Sequence, residues 1–340
     1  MKLRKLFLCL LLSIALLLNA CAPITQIQQE PAIISSSQPN DEGLSPTFWP
    51  TITPFSTRTP IIDCPGSPYT FGDTDYAYPT DISGELISLI QELVSPDPVT
   101  SAAAATWIPR CGQEAIYAIP YLVSISGDEA ALQYQSGFPT TPGIEAIKAI
   151  AQIGGKCAVL AMRTILENGE FITRVHVAQY LGDVRDSAVL GLIYDLLYDE
   201  EWMVQDNALN SLGTLIYNQI YDQHTLNILT GIATNADEDL DLRTRSIKDI
   251  GLFAQTQSSE KDQAINLLIQ IANDQNSRIR ENAAIALYNI NTPEVIETLI
   301  SMLQDQDPLV LVYASESLKN LTGQNFGENF KKWNQWWKSQ

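Results

Sequence analysis

Two histidines, His176 and His224, are all that 340 residues supply for proton shuttling near neutral pH or for imidazole ligation of a metal. Basic residues are also few, 20 Lys and Arg against 39 Asp and Glu, for a formal net charge of −19. A chain so short of cations cannot replace the counterions of a phosphate backbone, which excludes nucleic acid as a partner. Also missing are a Gly-x-Ser-x-Gly elbow, a His-Glu-x-x-His helix and a dinucleotide glycine fingerprint. Gly154-Gly155-Lys156 lacks the upstream glycine and the following Ser or Thr of a phosphate loop. The acids supply carboxylate pairs anywhere, but no local pattern selects two of them for hydrolysis. The expectation is a protein that is not an enzyme and needs no cofactor or metal.

The acidity itself serves solubility, with a cationic partner or loosely held divalent cations as the functional alternative. Its densest run, Asp237-Glu238-Asp239-Leu240-Asp241, does not make a calcium loop. Leu242 stands where the glycine turn belongs and Lys248 where the bidentate Glu belongs, so a solvated loop with helix N-terminal acids is expected.

Lys2, Arg4 and Lys5 precede an apolar run over residues 6–18, too short for a membrane span and suited to a secretory signal peptide. The run ends in Leu18-Asn19-Ala20-Cys21, which resembles the lipobox of bacterial lipoproteins. The resemblance implies removal of residues 1–20 and lipidation of Cys21, hence an extracytoplasmic protein anchored to the cell membrane, or to the outer membrane in a Gram-negative host. Residues 21–60 hold prolines among Ser, Thr and Gln and read as a tether. At roughly 3.1 Å per extended residue it would reach on the order of 100 Å. Phe48, Trp49 and Phe55 break its polar pattern and are expected to dock on the folded part.

Three cysteines remain after processing: Cys64, Cys111 and Cys157. Cys64 and Cys111 lie in turn-like contexts, whereas Cys157 sits in an apolar helical stretch. A Cys64–Cys111 disulfide is expected, with Cys157 a small buried hydrophobe.

The main positive signal is repetition. An aliphatic residue, a small residue four later and an aliphatic residue four later again draw one helical stripe. Copies run Val204–Ala208–Leu212, Leu242–Ser246–Ile250, Ile279–Ala283–Leu287 and Val310–Ala314–Leu318, with weaker ones ending at Ile153-Gly154 and Leu181-Gly182 and a degenerate start at Asp97-Pro98-Val99. The small central residue lets neighbouring helices approach closely. After each break a second apolar helix follows, over 188–197, 226–233, 264–271 and 295–303. This predicts an all-α solenoid of tandem antiparallel helix pairs over 142–340, preceded over 61–141 by an irregular N-terminal cap and a degenerate first repeat. Phe326, Phe330, Trp333, Trp336 and Trp337 fit an amphipathic capping helix at the other end.

The segment Asn276-Ser277-Arg278-Ile279-Arg280-Glu281-Asn282-Ala283-Ala284-Ile285-Ala286-Leu287 resembles the first helix of a HEAT repeat of the short, phycobilisome-lyase-like class. Leu321-Thr322-Gly323-Gln324-Asn325-Phe326-Gly327 with the following tryptophans is similar to the C-terminal segment of many bacterial HEAT-repeat proteins. Gln205 and Leu311 depart from the family pattern, standing where arginine is usual. The resemblance implies protein recognition through the second helices, which would expose Tyr194, Asp195, Tyr198, Asn227, Asn266, Gln270 and Glu297 to an unidentified envelope or extracellular protein. A solute-, peptide- or glycan-binding lipoprotein is the alternative, and a lyase-like enzyme rests on fold analogy alone.

Overall fold

The computed structural model describes residues 64–67, 82–129, 132–133 and 139–340. The signal peptide (1–20), Cys21, the tether (21–60) and most of the expected irregular cap lie outside the described residues. All described residues belong to one unit, Thr59–Gln340.

Helices dominate this unit, and capping residues set their starts. Asp97, Thr141, Thr292 and Asp307 each accept a hydrogen bond from a backbone N–H of the next turn and each precedes a proline at the first helical position. That combination satisfies an orphan donor and presets φ for the helix. The first helices of the pairs are α2 (Pro98–Trp107), α4 (Pro142–Ile153), α6 (Phe171–Tyr180), α8 (Trp202–Tyr217), α10 (Leu240–Phe253), α12 (Ser277–Ala286) and α14 (Pro308–Thr322). The second helices are α3 (Ile119–Ile125), α5 (Gly155–Asn168), α7 (Leu190–Leu196), α9 (Thr225–Thr234), α11 (Lys261–Ile271), α13 (Pro293–Met302) and α15 (Phe330–Trp337). One further helix, α1 (Gly84–Leu93), packs on α2, and a short antiparallel ladder pairs Leu132–Gln133 with Pro139–Thr140.

Each first helix packs against the next from α2 to α14, and the four repeat stripes read from the sequence are buried throughout. The glycines that end the repeat motif sit where successive first helices meet. A Cβ on Gly182 would lie 2.9 Å from the Ser211 carbonyl oxygen, and one on Gly251 2.9 Å from the Ala286 Cβ. Both distances are too short for a side chain, so close approach accounts for these glycines.

Stacked pairs begin before residue 142. The α2 helix leans on α4, burying Ala102, Ala104 and Ala105, and α3 leans on α5. An alanine-rich helix buries little apolar area per residue and draws no stripe, which is why the first pair is faint in the sequence.

The disulfide expectation is corrected. Cys64 is bonded to Cys157, with Cα atoms 5.6 Å apart, and Cys111 is a free, half-buried thiol. Cys157 lies in the first turn of α5, just after Gly154 and Gly155, whose positive φ values (70° and 71°) turn the chain from α4. There it is both buried and next to Cys64, so an apolar helical context is no bar to bridging. Cys111 lies in the 3-10 stretch Ile108–Ala118, where burial, aided by Glu85 and Glu114, pushes its thiol up.

At the C-terminal end Trp333 is fully buried, its ring edge-on to Phe326 with centroids 5.0 Å apart, and its Nε1 donates to the Gly327 carbonyl at 2.7 Å. Trp337 Nε1 donates to Glu297 on α13 at 3.2 Å.

Candidate binding surface

The second helices bury their apolar positions and turn a stripe outward with i, i+4, i+7 spacing. On α9 the stripe is Asn227, Gly231 and Thr234; on α11 and its last turn it is Asn266, Gln270 and Asn273; on α13 it is Glu297, Ser301 and Gln304. Asp195 on α7 and Tyr198 in the turn that follows continue it. This face is mostly amide and hydroxyl, with few charges, although the chain as a whole is strongly acidic. Of the expected contact residues, Asp195, Tyr198, Asn227, Asn266 and Gln270 are exposed on it.

One expected contact residue is corrected. Tyr194 is half-buried, and its hydroxyl bonds Asp222 at 2.8 Å and Thr225 at 2.7 Å, tying α7 to the start of α9. Burial raises its phenol further above the ordinary range, so it serves the stack as a neutral group. Glu297 is exposed, as expected, and accepts a hydrogen bond from Trp337.

A second feature runs along the turns that lead from each second helix to the next first helix. Arg174 donates to both carboxylate oxygens of Asp199 (2.9 and 3.1 Å), and Arg280 to both of Asp305 (2.7 and 2.8 Å). Arg243 donates to Asp274 and to the Ala233 carbonyl, each at 3.1 Å. Where Gln205 replaces arginine, its amide donates to the Asp199 carbonyl at 2.8 Å. Arg245 pairs with Asp206 at 2.6 Å and Arg278 with Asp241. Forked guanidinium–carboxylate pairs fix the turns as well as neutralise them, and Arg280 holds the Asp305 carboxyl below its ordinary range.

Inside the row of first helices lies a third polar series. Ser211 Oγ donates to the Ala178 carbonyl at 2.6 Å and accepts from the Gly182 N–H at 3.0 Å, and Ser317 Oγ donates to the Ala284 carbonyl at 2.9 Å. These hydroxyls satisfy backbone groups near the C-terminal end of the preceding first helix. Asp249 holds the same place in α10, three residues after the small stripe residue, and is buried. Desolvation pushes its carboxyl well above the ordinary range, against Arg245 and Lys248 and with Asp206. Its Oδ2 and the neighbouring Ser246 Oγ have no hydrogen-bond partner among the described residues. Sequence reading missed this site, although an acid at a serine position of the repeat is a visible signal.

His176 lines a recess of about 170 Å³ with Glu129 and Thr173. Burial lowers its pKa, which keeps the imidazole neutral. His224 is exposed at the start of α9. Among the described residues no group of three His, Cys, Asp or Glu side chains is placed to hold a metal ion. Asp239 in the acidic loop accepts from the backbone N–H groups of Asp241 and Leu242, capping α10.

Tandem antiparallel helix pairs with first helices stacked in one row define an α-solenoid repeat protein. Residues 232–319 match the family model described as HEAT repeats. The fold of the described residues is a HEAT-like α-solenoid. No curated protein sequence matches it. Among solved structures it is similar to an engineered protein at 17% identity, covering 71% of this chain and 98% of that one, with a TM-score of 0.40. It is similar to the complex of CpcE and CpcF of phycocyanin lyase from Nostoc sp. PCC7120 at 15% identity, covering 78% and 98%, with a TM-score of 0.37. It is also similar to a designed armadillo repeat protein at 18% identity, covering 70% and 100%, with a TM-score of 0.34.

Proposed function

We propose that this chain is an envelope-anchored lipoprotein whose HEAT-like repeats act as a non-catalytic scaffold for protein–protein interaction. The observation that carries the scaffold reading is the continuous outward stripe of the second helices, which spans several repeats and offers hydrogen-bonding groups without converging on one reacting centre. Extended repeat surfaces of this kind suit broad contact with another macromolecule, whereas small-molecule sites are concave and mostly apolar. The open groove between the α11–α12 and α13–α14 turns, about 340 Å³, has the Arg280–Asp305 pair on its wall, and that guanidinium and carboxylate are occupied with each other.

Anchoring is supported by Leu18-Asn19-Ala20-Cys21 and by the Cys64–Cys157 disulfide, a bond that persists in oxidising compartments. Membrane attachment is through lipid on Cys21, and the partner is a protein of the envelope or the extracellular space. The test uses the full chain expressed in a bacterial host fed an alkyne fatty acid. The wild type is expected to take up the label and fractionate with membranes, and Cys21→Ala to do neither. Capture from detergent-treated envelope, against a charge-matched control protein, is expected to recover a specific partner. Recovery of no protein sinks the scaffold, and labelling of Cys21→Ala sinks the anchor.

A further inference from the structure

The turn from α7 to α8 exposes three large apolar side chains within six residues: Tyr198 is 58% exposed, Trp202 58% and Met203 38%. Such a patch marks an interaction surface more often than an idle one. The turn beneath it is held rigidly. Asp199 is forked onto Arg174 and accepts from the Glu201 N–H at 3.0 Å, and its carbonyl accepts from Gln205. A surface ordered in advance loses less entropy when a partner docks.

Charge selects the occupant. Glu200 and Glu201 flank the aromatic rings, and Glu238 from the next turn is within electrostatic range of the Tyr198 hydroxyl. The four turns 197–201, 235–239, 272–276 and 303–307 carry nine acidic residues and no Lys or Arg of their own. Asp199, Asp274 and Asp305 are paired with arginines of the first helices, and Arg174 also lies 3.7 Å from Glu200, while Glu201 and Glu238 have no arginine or lysine in ion-pair contact among the described residues. Elsewhere this chain covers exposed or half-exposed rings with its own cations. Arg110 lies 3.9 Å from the centre of the Trp107 ring, and Lys148 lies 5.9 Å from that of Tyr180 while pairing with Glu145 at 3.1 Å. The Tyr198–Met203 turn has the rings and the carboxylates of that arrangement, and no cation of this chain covers either ring among the described residues.

We infer that this turn docks a lysine- or arginine-bearing segment of a partner protein, whose cation lies over Trp202 or Tyr198 and between Glu200, Glu201 and Glu238. The inference rests on the scaffold reading and specifies the chemistry of its partner. A cation over an indole face beside carboxylates gains both ring and charge attraction, and Met203 adds an adaptable apolar contact.

The test measures anisotropy of a fluorescein-labelled peptide of alternating arginine and glycine, at physiological ionic strength, with the purified protein. The double variant Tyr198→Ala, Trp202→Ala preserves net charge and is expected to weaken binding about fivefold or more. Glu200→Gln with Glu201→Gln is expected to act in the same direction. Glu316→Gln with Glu328→Gln removes the same charge from exposed positions elsewhere and is expected to change affinity by less than about twofold. Unchanged affinity in the aromatic variant, or an equal loss in the remote charge pair, overturns the site and reduces the binding to general polyanion attraction. An envelope partner still captured by the aromatic variant overturns this site while leaving the scaffold standing.

Discussion

Replacing Asp249 by serine converts the odd member of the serine series in the first-helix row into a copy of Ser211 and Ser317. In the wild type the buried carboxyl has a pKa well above its unfolded value, with desolvation as the largest cause. A group whose folded pKa is raised stabilises the fold fully below the unfolded pKa, about 3.9 for aspartate, and loses that contribution as pH rises towards the folded pKa. Over that window the folded state retains a proton that the unfolded chain has released. Stability should therefore fall by up to about 1.4 kcal/mol per pH unit from this one group. The Asp249→Ser variant has no such group. Its stability relative to wild type should rise with pH at up to that slope until Asp249 ionises inside the fold. The cavity left by the shorter side chain adds an offset of either sign that does not depend on pH. Asp249→Asn, nearly isosteric and uncharged, should show the same slope with a different offset. Urea unfolding of all three proteins at a series of pH values between about 4 and 8 measures this, because every other titrating group contributes equally to the difference. Parallel pH profiles for wild type and Asp249→Ser would refute the reasoning and place an ionised, solvated carboxylate at this position.

Three further outcomes are expected. Non-reducing peptide mapping should recover the Cys64–Cys157 pair, and replacing both residues by serine should cost about 2–4 kcal/mol, whereas Cys111→Ser should leave the bridge intact. Gly251→Ala should destabilise by about 1–3 kcal/mol in thermal or urea unfolding despite alanine's better helix propensity, because its Cβ would meet Ala286; a stabilised variant would show that α10 and α12 can separate freely. Arg280→Ala should cost about 2–3 kcal/mol in urea unfolding, since it leaves the partly buried Asp305 and the Asp274 and Gln275 carbonyls without their donor. It should also weaken the loss of stability on acidification, as the depressed Asp305 pKa contributes above the unfolded pKa and is lost as pH falls through the folded one.

The solenoid was legible because each first helix repeats one contact: aliphatic, small, aliphatic, then glycine or another residue at the crossing with the next helix. That contact is local in sequence and identical in purpose from repeat to repeat, so periodicity reports it. The α2 helix was legible only as a degenerate start at Asp97-Pro98-Val99, because alanines fill its interface without drawing a stripe. The disulfide partner escaped because pairing depends on which turns meet in space, and Cys157 lies 93 residues from Cys64. Tyr194 was misplaced on the outer face because an i, i+4 count cannot see Asp222 and Thr225 of the following repeat reaching for its hydroxyl. Asp249 stands out only after the repeats are aligned and their burial is known.

The arginines decide which acids along the edge of turns keep an uncompensated charge. Five of the six arginines between residues 171 and 340 are held by aspartates of neighbouring helices or turns, and only Arg185 is not. In a partly buried ion pair the carboxylate and guanidinium cancel much of each other's field, so Asp199, Asp274 and Asp305 add little to the potential seen by a partner. The field at the α7–α8 turn then comes from Glu201 and Glu238 and, in part, from Glu200, which lies 3.7 Å from Arg174, itself forked onto Asp199. The pairs that hold the repeats in register thus consume the cations that would otherwise neutralise the edge. Rigidity comes from the arginine–aspartate pairs and negative potential from the glutamates left outside them, and the two coincide at the turn that carries Tyr198 and Trp202.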